Sequence, residues 1–298
     1  MNPINVLRLA LIAVTAVYGV VWGRAMKAMQ DLRFPSPFQL FVGYATNFLD
    51  TLGIGSFATT TTTYRLTRNV DDRVIPGTLN VGHTLPTTVQ ALIYTTLIEV
   101  DVTTLFSMIA ASILGSWLGA GVVARWSKLN VQIGMGVALL VAATIFFMQQ
   151  LALFPSGGAD IGVTGVRLVI AVVVNFVLGA LMTLGIGLYA PCMILVSLLG
   201  MNPTAAFPIM MGSCAFLMPV GSLRFIQENS YSPRAALGLA IGGIPAVLLA
   251  AYIVKSLPLY YVRWLVIVVV VYTSVSMLWS AYRSVSAGSI LEPRRAGM

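Results

Sequence analysis

The chain has 298 residues, of which 58% are hydrophobic and only 9% are charged, and its mean hydropathy is +0.91. A soluble domain carries about 25% charged residues, so this composition excludes a water-soluble fold and indicates an all-α polytopic membrane protein. The 17 lysines and arginines outnumber the 9 acidic residues. Because these basic residues occur singly or in small groups between apolar runs, they indicate the cytoplasmic Lys/Arg bias of an inner-membrane protein rather than nucleic-acid binding.

Seven apolar runs are predicted to cross the membrane. A hydrocarbon core about 30 Å thick is crossed by roughly 20 helical residues. The runs that approach this length are 5–22, 76–97, 102–124, 131–153, 205–226, 235–254 and 263–282. The first run is long for a signal peptide and shows no clear small-residue cleavage site, so we interpret it as a retained helix.

Two further apolar segments, 38–70 and 169–201, are interrupted by the same five residues. The sequence Thr-Leu-Gly-Ile-Gly occurs at 51–55 and again at 183–187, 132 residues later. Paired glycines weaken a helix in the middle of a membrane, whereas Pro191, just after the second pair, suits the first turn of a new helix. Both segments are therefore predicted to be broken helices.

The repeated letters also predict how the chain is divided. Pro76 and Pro208 have the same separation as the two glycine-rich breaks. We therefore predict a first transmembrane repeat at 1–128, a second at 129–256, and an extra helix with a tail at 257–298.

Charge predicts the topology. The segments on both sides of the first break, 23–37 and 64–75, are basic, and the positive-inside rule places both in the cytoplasm. The apolar segment between them then enters and returns as a hairpin, although the sequence leaves a full crossing open. The other loops place the N-terminus outside, the C-terminus inside and the second hairpin on the opposite side from the first. This inverted repeat is typical of secondary transporters that bind substrate near the midplane at broken helices.

Three stretches, 47–58, 75–86 and 181–192, resemble the sulfite exporter TauE/SafE family of membrane transporters. The likeness covers about residues 38–282. The resemblance implies export of sulfite, sulfoacetate or a related organosulfonate across the bacterial inner membrane.

An oxyanion needs hydrogen-bond donors and positive potential, and the N-terminus of a half-helix supplies both. The predicted substrate-binding residues at or near the two breaks are Thr51, Gly53, Gly55, Ser56, Thr59, Thr60, Asn80, His83, Thr183, Gly185, Gly187, Tyr189 and Cys192. Other interpretations stay open, because threonines in membrane helices often bond their own backbone and small residues often serve close packing. Cys192 is an equally ordinary small packing residue.

Two ionisable residues are candidates for coupling. Asp50 precedes the first break, where a charge is costly in a membrane, so it either couples transport to protons or caps the returning half-helix. The second repeat has Met182 at that place. His83 either relays protons, donates to an anion, or is simply hydrogen-bonded.

The leading prediction is a secondary transporter of a small anion, and the alternatives are an anion channel or a carrier for another carboxylate-like anion. An enzyme is less consistent with this residue inventory, since the chain has one histidine and few carboxylates. A scaffold is less consistent with two helices that are broken, at a cost in stability, at matching places. No nucleotide-binding loop is present, so a gradient of substrate, protons or sodium must drive transport. No metal, cofactor or nucleic-acid partner is expected, and the oligomeric state stays open.

Overall fold

The computed structural model describes residues 3–28, 33–52, 54–94, 99–185, 187–252 and 260–295. Its α-helices confirm the predicted all-α polytopic membrane fold. In chain order they are α1 Pro3–Ala28, α2 Pro37–Thr51, α3 Ser56–Thr67, α4 Ile75–Tyr94, α5 Val102–Val123, α6 Lys128–Gln150, α7 Gly165–Met182, α8 Tyr189–Leu198, α9 Ala206–Gln227, α10 Pro233–Tyr252 and α11 Tyr260–Arg295. Short 3-10 turns at Asp72–Val74 and Pro203–Ala205 lead into α4 and α9.

Seven helices of the described ranges are long and apolar enough to cross a membrane, and they differ from the predicted seven at one place. Six predicted crossings correspond to α1, α5, α6, α9, α10 and α11. The seventh, 76–97, corresponds to α4, whose 20 residues span about 30 Å but are too polar to join that group. The apolar helix α7 joins it instead. Most of α4 is buried inside the protein, which explains how its polar side chains are tolerated.

The first hairpin consists of α2 and α3. Ser36 begins α2 through a capping box, in which its hydroxyl accepts from the Gln39 amide while the Gln39 side chain accepts from the Ser36 amide. The chain turns at Gly55, which has a positive φ of 71°, and α3 then returns. The Gln39 side-chain amide donates to Asn69 Oδ1, beyond the end of α3, at 3.0 Å. The start of α2 and the end of α3 therefore lie together, as a re-entrant hairpin requires.

The second hairpin consists of α7 and α8. Arg167, in the first turn of α7, lies beside Gly200, which follows the end of α8. The distance from Arg167 Nη1 to the position that a Cβ of Gly200 would occupy is 3.7 Å. The loop before α7 also bonds the end of α8, because the Asn202 amide donates to the Asp160 carbonyl at 2.8 Å. This hairpin is therefore re-entrant as well.

The loops gather at two faces. At the first, named here the basic face, Lys128 bonds Asp71 at 2.6 Å and Arg125 pairs with Glu228 at 2.7 Å. The bond from Lys128 lowers the pKa of Asp71, so this carboxylate stays ionised at more acidic pH than a free one. The open end of the first hairpin, at Asn69, belongs to this face.

At the second face, named here the Asp101 face, the Asp101 amide donates to the Ile161 carbonyl at 2.9 Å. The open end of the second hairpin lies here, at Asp160 and Asn202. The helix α5 joins the two faces with 22 residues, or about 33 Å. The hairpins therefore enter from opposite sides, as the inverted repeat predicts.

Helix order repeats along the chain, and the two halves interlock. The series α2, α3, 3-10 turn, α4, α5 is matched by α7, α8, 3-10 turn, α9, α10. The last long helix of each series packs against the first helix of the other, α5 on α7 and α10 on α2, while α4 packs on α9. The division at residue 128 stays a prediction, but residues on both sides of it share one buried core.

Glycines permit this close packing. A Cβ at Gly115 of α5 would lie 1.9 Å from the Phe176 carbonyl oxygen of α7. A Cβ at Gly242 of α10 would lie 2.1 Å from the Leu40 carbonyl oxygen of α2. Small residues that let two backbones approach are the usual basis of helix association in membranes.

Candidate functional site

The first break is organised by the carboxylate of Asp50. This side chain is 6% exposed, and its Oδ1 accepts a hydrogen bond from the Ser56 amide at 2.7 Å. The Ser56 hydroxyl and the Gln90 side chain also lie close to the carboxylate. A negative group at a helix N-terminus is stabilised by the helix dipole. Asp50 therefore caps α3, which was one of its two predicted roles.

A second cluster of polar side chains links α2, α3 and α4, and the fully buried His83 lies at its centre. The Asn47 side-chain amide donates to the Gly43 carbonyl at 2.7 Å, which turns Asn47 Oδ1 toward His83 Nδ1 at 3.0 Å. That ring nitrogen therefore donates, and in the neutral imidazole Nε2 accepts from the Thr60 hydroxyl at 3.0 Å. Both ring nitrogens thus have protein partners, and Phe57 stacks on the ring.

The second break lies against helices of both predicted repeats. Gly185 adopts a φ of 101°, a conformation that favours glycine. A Cβ there would lie 3.2 Å from Met135 Cε, 3.8 Å from Leu79 Cδ1 and 4.0 Å from Thr61 Oγ1. The second break thereby contacts α3, α4 and α6.

The N-terminus of α8 differs from that of α3. Leu188 occupies its N-cap position, and the Leu188 side chain makes no capping bond. Next to it, Gly187 has no described atom, other than those of its chain neighbours, within 4 Å of the position where a Cβ would stand. One broken helix thus restarts on a carboxylate, and the other restarts beside open space without one.

Several predicted threonines make only local bonds. Thr51 donates to the Asn47 carbonyl at 2.8 Å, Thr59 to the Gly55 carbonyl at 3.0 Å, and Thr183 to the Ala180 carbonyl at 2.6 Å. These hydroxyls satisfy their own helices, which favours the structural alternative for them.

The other predicted residues have mixed surroundings. The Asn80 side-chain amide donates to the Pro76 carbonyl at 2.9 Å, and its Oδ1 has no partner among the described residues. Cys192 is fully buried with a free thiol. Gly53 and the side chain of Tyr189 lie outside the described residues.

Sequence reasoning missed three residues near the breaks. Gln90 lies close to Asp50, the Tyr94 hydroxyl lies 3.5 Å from the Thr51 carbonyl oxygen, and Thr61 faces Gly185. Gln90 could have been found, because it follows His83 by seven residues and so shares its face of α4. Thr61 could not be separated from its neighbours in a run of five threonines.

The fold and these contacts define a class: a polytopic α-helical membrane protein with two opposed re-entrant hairpins that break among buried polar side chains. The chain matches no family model, no curated protein and no solved structure. The resemblance to the sulfite exporter TauE/SafE family stays a prediction based on the quoted motifs.

Proposed function

We propose that this protein is a secondary transporter that exports a small anion across the bacterial inner membrane. The observation that carries the proposal is the pair of hairpins, which enter from opposite faces and break in the protein interior. Non-helical backbone at that depth is tolerated where it is buried in protein or lines a cavity. Transporters use such broken helices to hold substrate near the midplane.

The proposed substrate is a small sulfur oxyanion: sulfite, sulfoacetate or a related organosulfonate. This choice follows from the resemblance to the sulfite exporters. The donor chemistry is compatible with it, since the free end of α8 offers backbone N–H groups and a positive dipole to an anion. The two opposed hairpins supply one movable element for each face, which suits alternating access.

We propose that the basic face is cytoplasmic, with the N-terminus outside and the C-terminus inside. To test this, single cysteines would replace the exposed residues Arg24, Thr67 and Ile161. A membrane-impermeant maleimide should label positions 24 and 67 only from the cytoplasmic side and position 161 only from outside. The native Cys192 and Cys214 are buried and should stay silent. Labelling of positions 67 and 161 from the same side would contradict the assignment.

Transport itself is tested in proteoliposomes. We expect saturable uptake of radiolabelled sulfite and sulfoacetate, altered by an imposed proton gradient. Gly185→Leu should abolish uptake, because its side chain would meet Met135 and Thr61 at a backbone that L-residues rarely adopt. The matched control is Gly19→Leu in α1, where a Cβ meets nothing within 4 Å.

Three outcomes would count against this proposal. Absence of uptake for every sulfur oxyanion would remove the substrate assignment. Normal uptake by folded Gly185→Leu protein would remove the second break from the pathway. Ion currents far above carrier turnover would indicate a channel instead.

A further inference from the structure

We propose that the substrate is held at the second break, by the free N-terminus of α8 together with the hydroxyl of Thr61, and that this site favours singly charged oxyanions. The inference rests on the proposed transport function. It gives the two breaks different roles, the first closed by an internal carboxylate and the second open to a ligand.

The two half-helix N-termini are not equivalent. The first N–H group of α3, at Ser56, is already bonded to Asp50 Oδ1 at 2.7 Å. A second anion placed there would meet the negative charge of this carboxylate. In the second repeat Met182 stands before the same five-residue sequence, and α8 has no described side-chain cap. Of the two half-helices that begin at the breaks, only α3 has an N-terminal amide bonded to Asp50, so an anion is better accommodated at α8.

Thr61 provides an independent observation at the same place. Its neighbours Thr59, Thr63 and Thr67 donate to carbonyls of their own helix, and Thr60 bonds His83. Thr61 is fully buried, and its hydroxyl, like that of the buried Thr62, has no hydrogen-bond partner among the described residues. Of these two, Thr61 is the one whose oxygen is among the atoms nearest to a Cβ at Gly185. Buried hydroxyls are ordinarily paired, and an unpaired one is costly. A bound ligand would supply the missing acceptor.

The unpaired hydroxyl faces the second break. Thr61 Oγ1 lies 4.0 Å from the position that a Cβ of Gly185 would occupy, so no side chain of residue 185 stands between the buried hydroxyl and the backbone of the break. At Gly187, between Gly185 and α8, no described atom other than those of its chain neighbours lies within 4 Å of the Cβ position. Thr61 and the start of α8 thus both adjoin the second break.

The chemistry of the surroundings sets the charge that this site accepts. Around Gly185 the nearest described side chains are Thr61, Leu79 and Met135, which are one hydroxyl and two apolar groups. A helix N-terminus contributes only about half a positive charge. Such a site compensates one negative charge better than two. Among the proposed substrates, hydrogensulfite and simple monosulfonates should therefore bind more tightly than sulfoacetate, whose carboxylate adds a second negative charge, and more tightly than sulfate.

The test uses radiolabelled methanesulfonate in proteoliposomes. Thr61→Val removes the hydroxyl at nearly constant volume and should raise KM about tenfold or more, the usual effect of losing a hydrogen bond to a charged group. Thr61→Ser should restore most of the affinity. Thr63→Val is the matched control, because the Thr63 hydroxyl bonds the Thr59 carbonyl at 2.8 Å, and its KM should stay near that of the wild type. Sulfate should compete at least tenfold less well than methanesulfonate.

The outcomes separate this inference from the proposed function. An unchanged KM in Thr61→Val, or equal competition by sulfate, would overturn the site while leaving transport established. No anion transport by the wild type would instead overturn the function. Should Thr61→Val fail to fold, Thr61→Cys provides a second measurement: methanesulfonate should protect this cysteine from a small methanethiosulfonate reagent, and lack of protection would overturn the proposal.

Discussion

Alanine at Gly115 or at Gly242 should prevent the two halves of the protein from packing together. At both positions the added methyl group would meet a backbone carbonyl oxygen, 1.9 Å away at Phe176 and 2.1 Å away at Leu40. Backbone atoms cannot move aside as a flexible side chain does, so the two helices must separate. We expect each substitution to destabilise the fold by about 3 kcal/mol, the upper end of the usual cost of overpacking.

The measurement is the apparent melting temperature in detergent, together with the elution profile of the purified protein. Gly19→Ala and Gly23→Ala are the matched controls, because a Cβ at either position of α1 meets nothing within 4 Å. Both should melt at or slightly above the wild-type temperature, since alanine favours a helix by about 1 kcal/mol over glycine. Melting of Gly115→Ala and Gly242→Ala at the control temperature would contradict the interlocked packing.

Gly115 and Gly242 lie at equivalent helix contacts between the two predicted repeats. Gly115 lies where α5 of the first repeat meets α7 of the second, and Gly242 lies where α10 of the second meets α2 of the first. Loss of either contact detaches a helix of one half from the other half. We therefore expect similar losses at both positions, although their flanking sequences differ.

The hairpins could be predicted because their signals are local. Paired glycines mark the breaks at 51–55 and 183–187, and basic residues on both sides of the first break require the chain to return. The crossing formed by α4 was also predicted, because the helix has no charged residue, although its many polar side chains keep it out of the group of seven apolar helices. Burial against other helices, rather than its own hydropathy, keeps it in the membrane.

The details of the site could not be predicted because they depend on which helices meet. Asn47 and His83 are 36 residues apart and are joined only when α2 packs on α4. In the run of threonines, the sequence does not show which hydroxyl bonds its own helix, which bonds His83 and which is left unpaired. The sequence shows that Asp50 precedes the first break and Met182 the second. It does not show that Asp50 caps α3, because this role is evident only from the hydrogen bond that the Ser56 amide donates to Asp50.

Asp50→Asn should give a folded carrier that exchanges anions but no longer responds to a proton gradient. Asparagine offers an oxygen to the Ser56 amide and so keeps the cap of α3, whereas Asp50→Ala loses it at a cost of about 1 kcal/mol. Comparison of these two variants therefore separates the effect of losing the charge from the effect of losing the helix cap. Asp101→Asn is the matched control, since Asp101 caps α5 through a 2.7 Å bond from the Thr104 amide at the Asp101 face.

Asp50 is expected to do more than cap because α8 begins at an equivalent break without a described side-chain cap. Its buried carboxylate also takes no part in the three ion pairs of the described ranges. Tyr94 of α4 lies near the first break, with its hydroxyl 3.5 Å from the Thr51 carbonyl oxygen, and Tyr94→Phe should retain the gradient response. Uptake by Asp50→Asn would be compared with and without an inward proton gradient. If Asp50→Asn responds to the gradient as the wild type does, Asp50 only caps α3 and the coupling step lies elsewhere. If the response is lost while anion exchange persists, protonation of the Asp50 carboxylate accompanies anion transport.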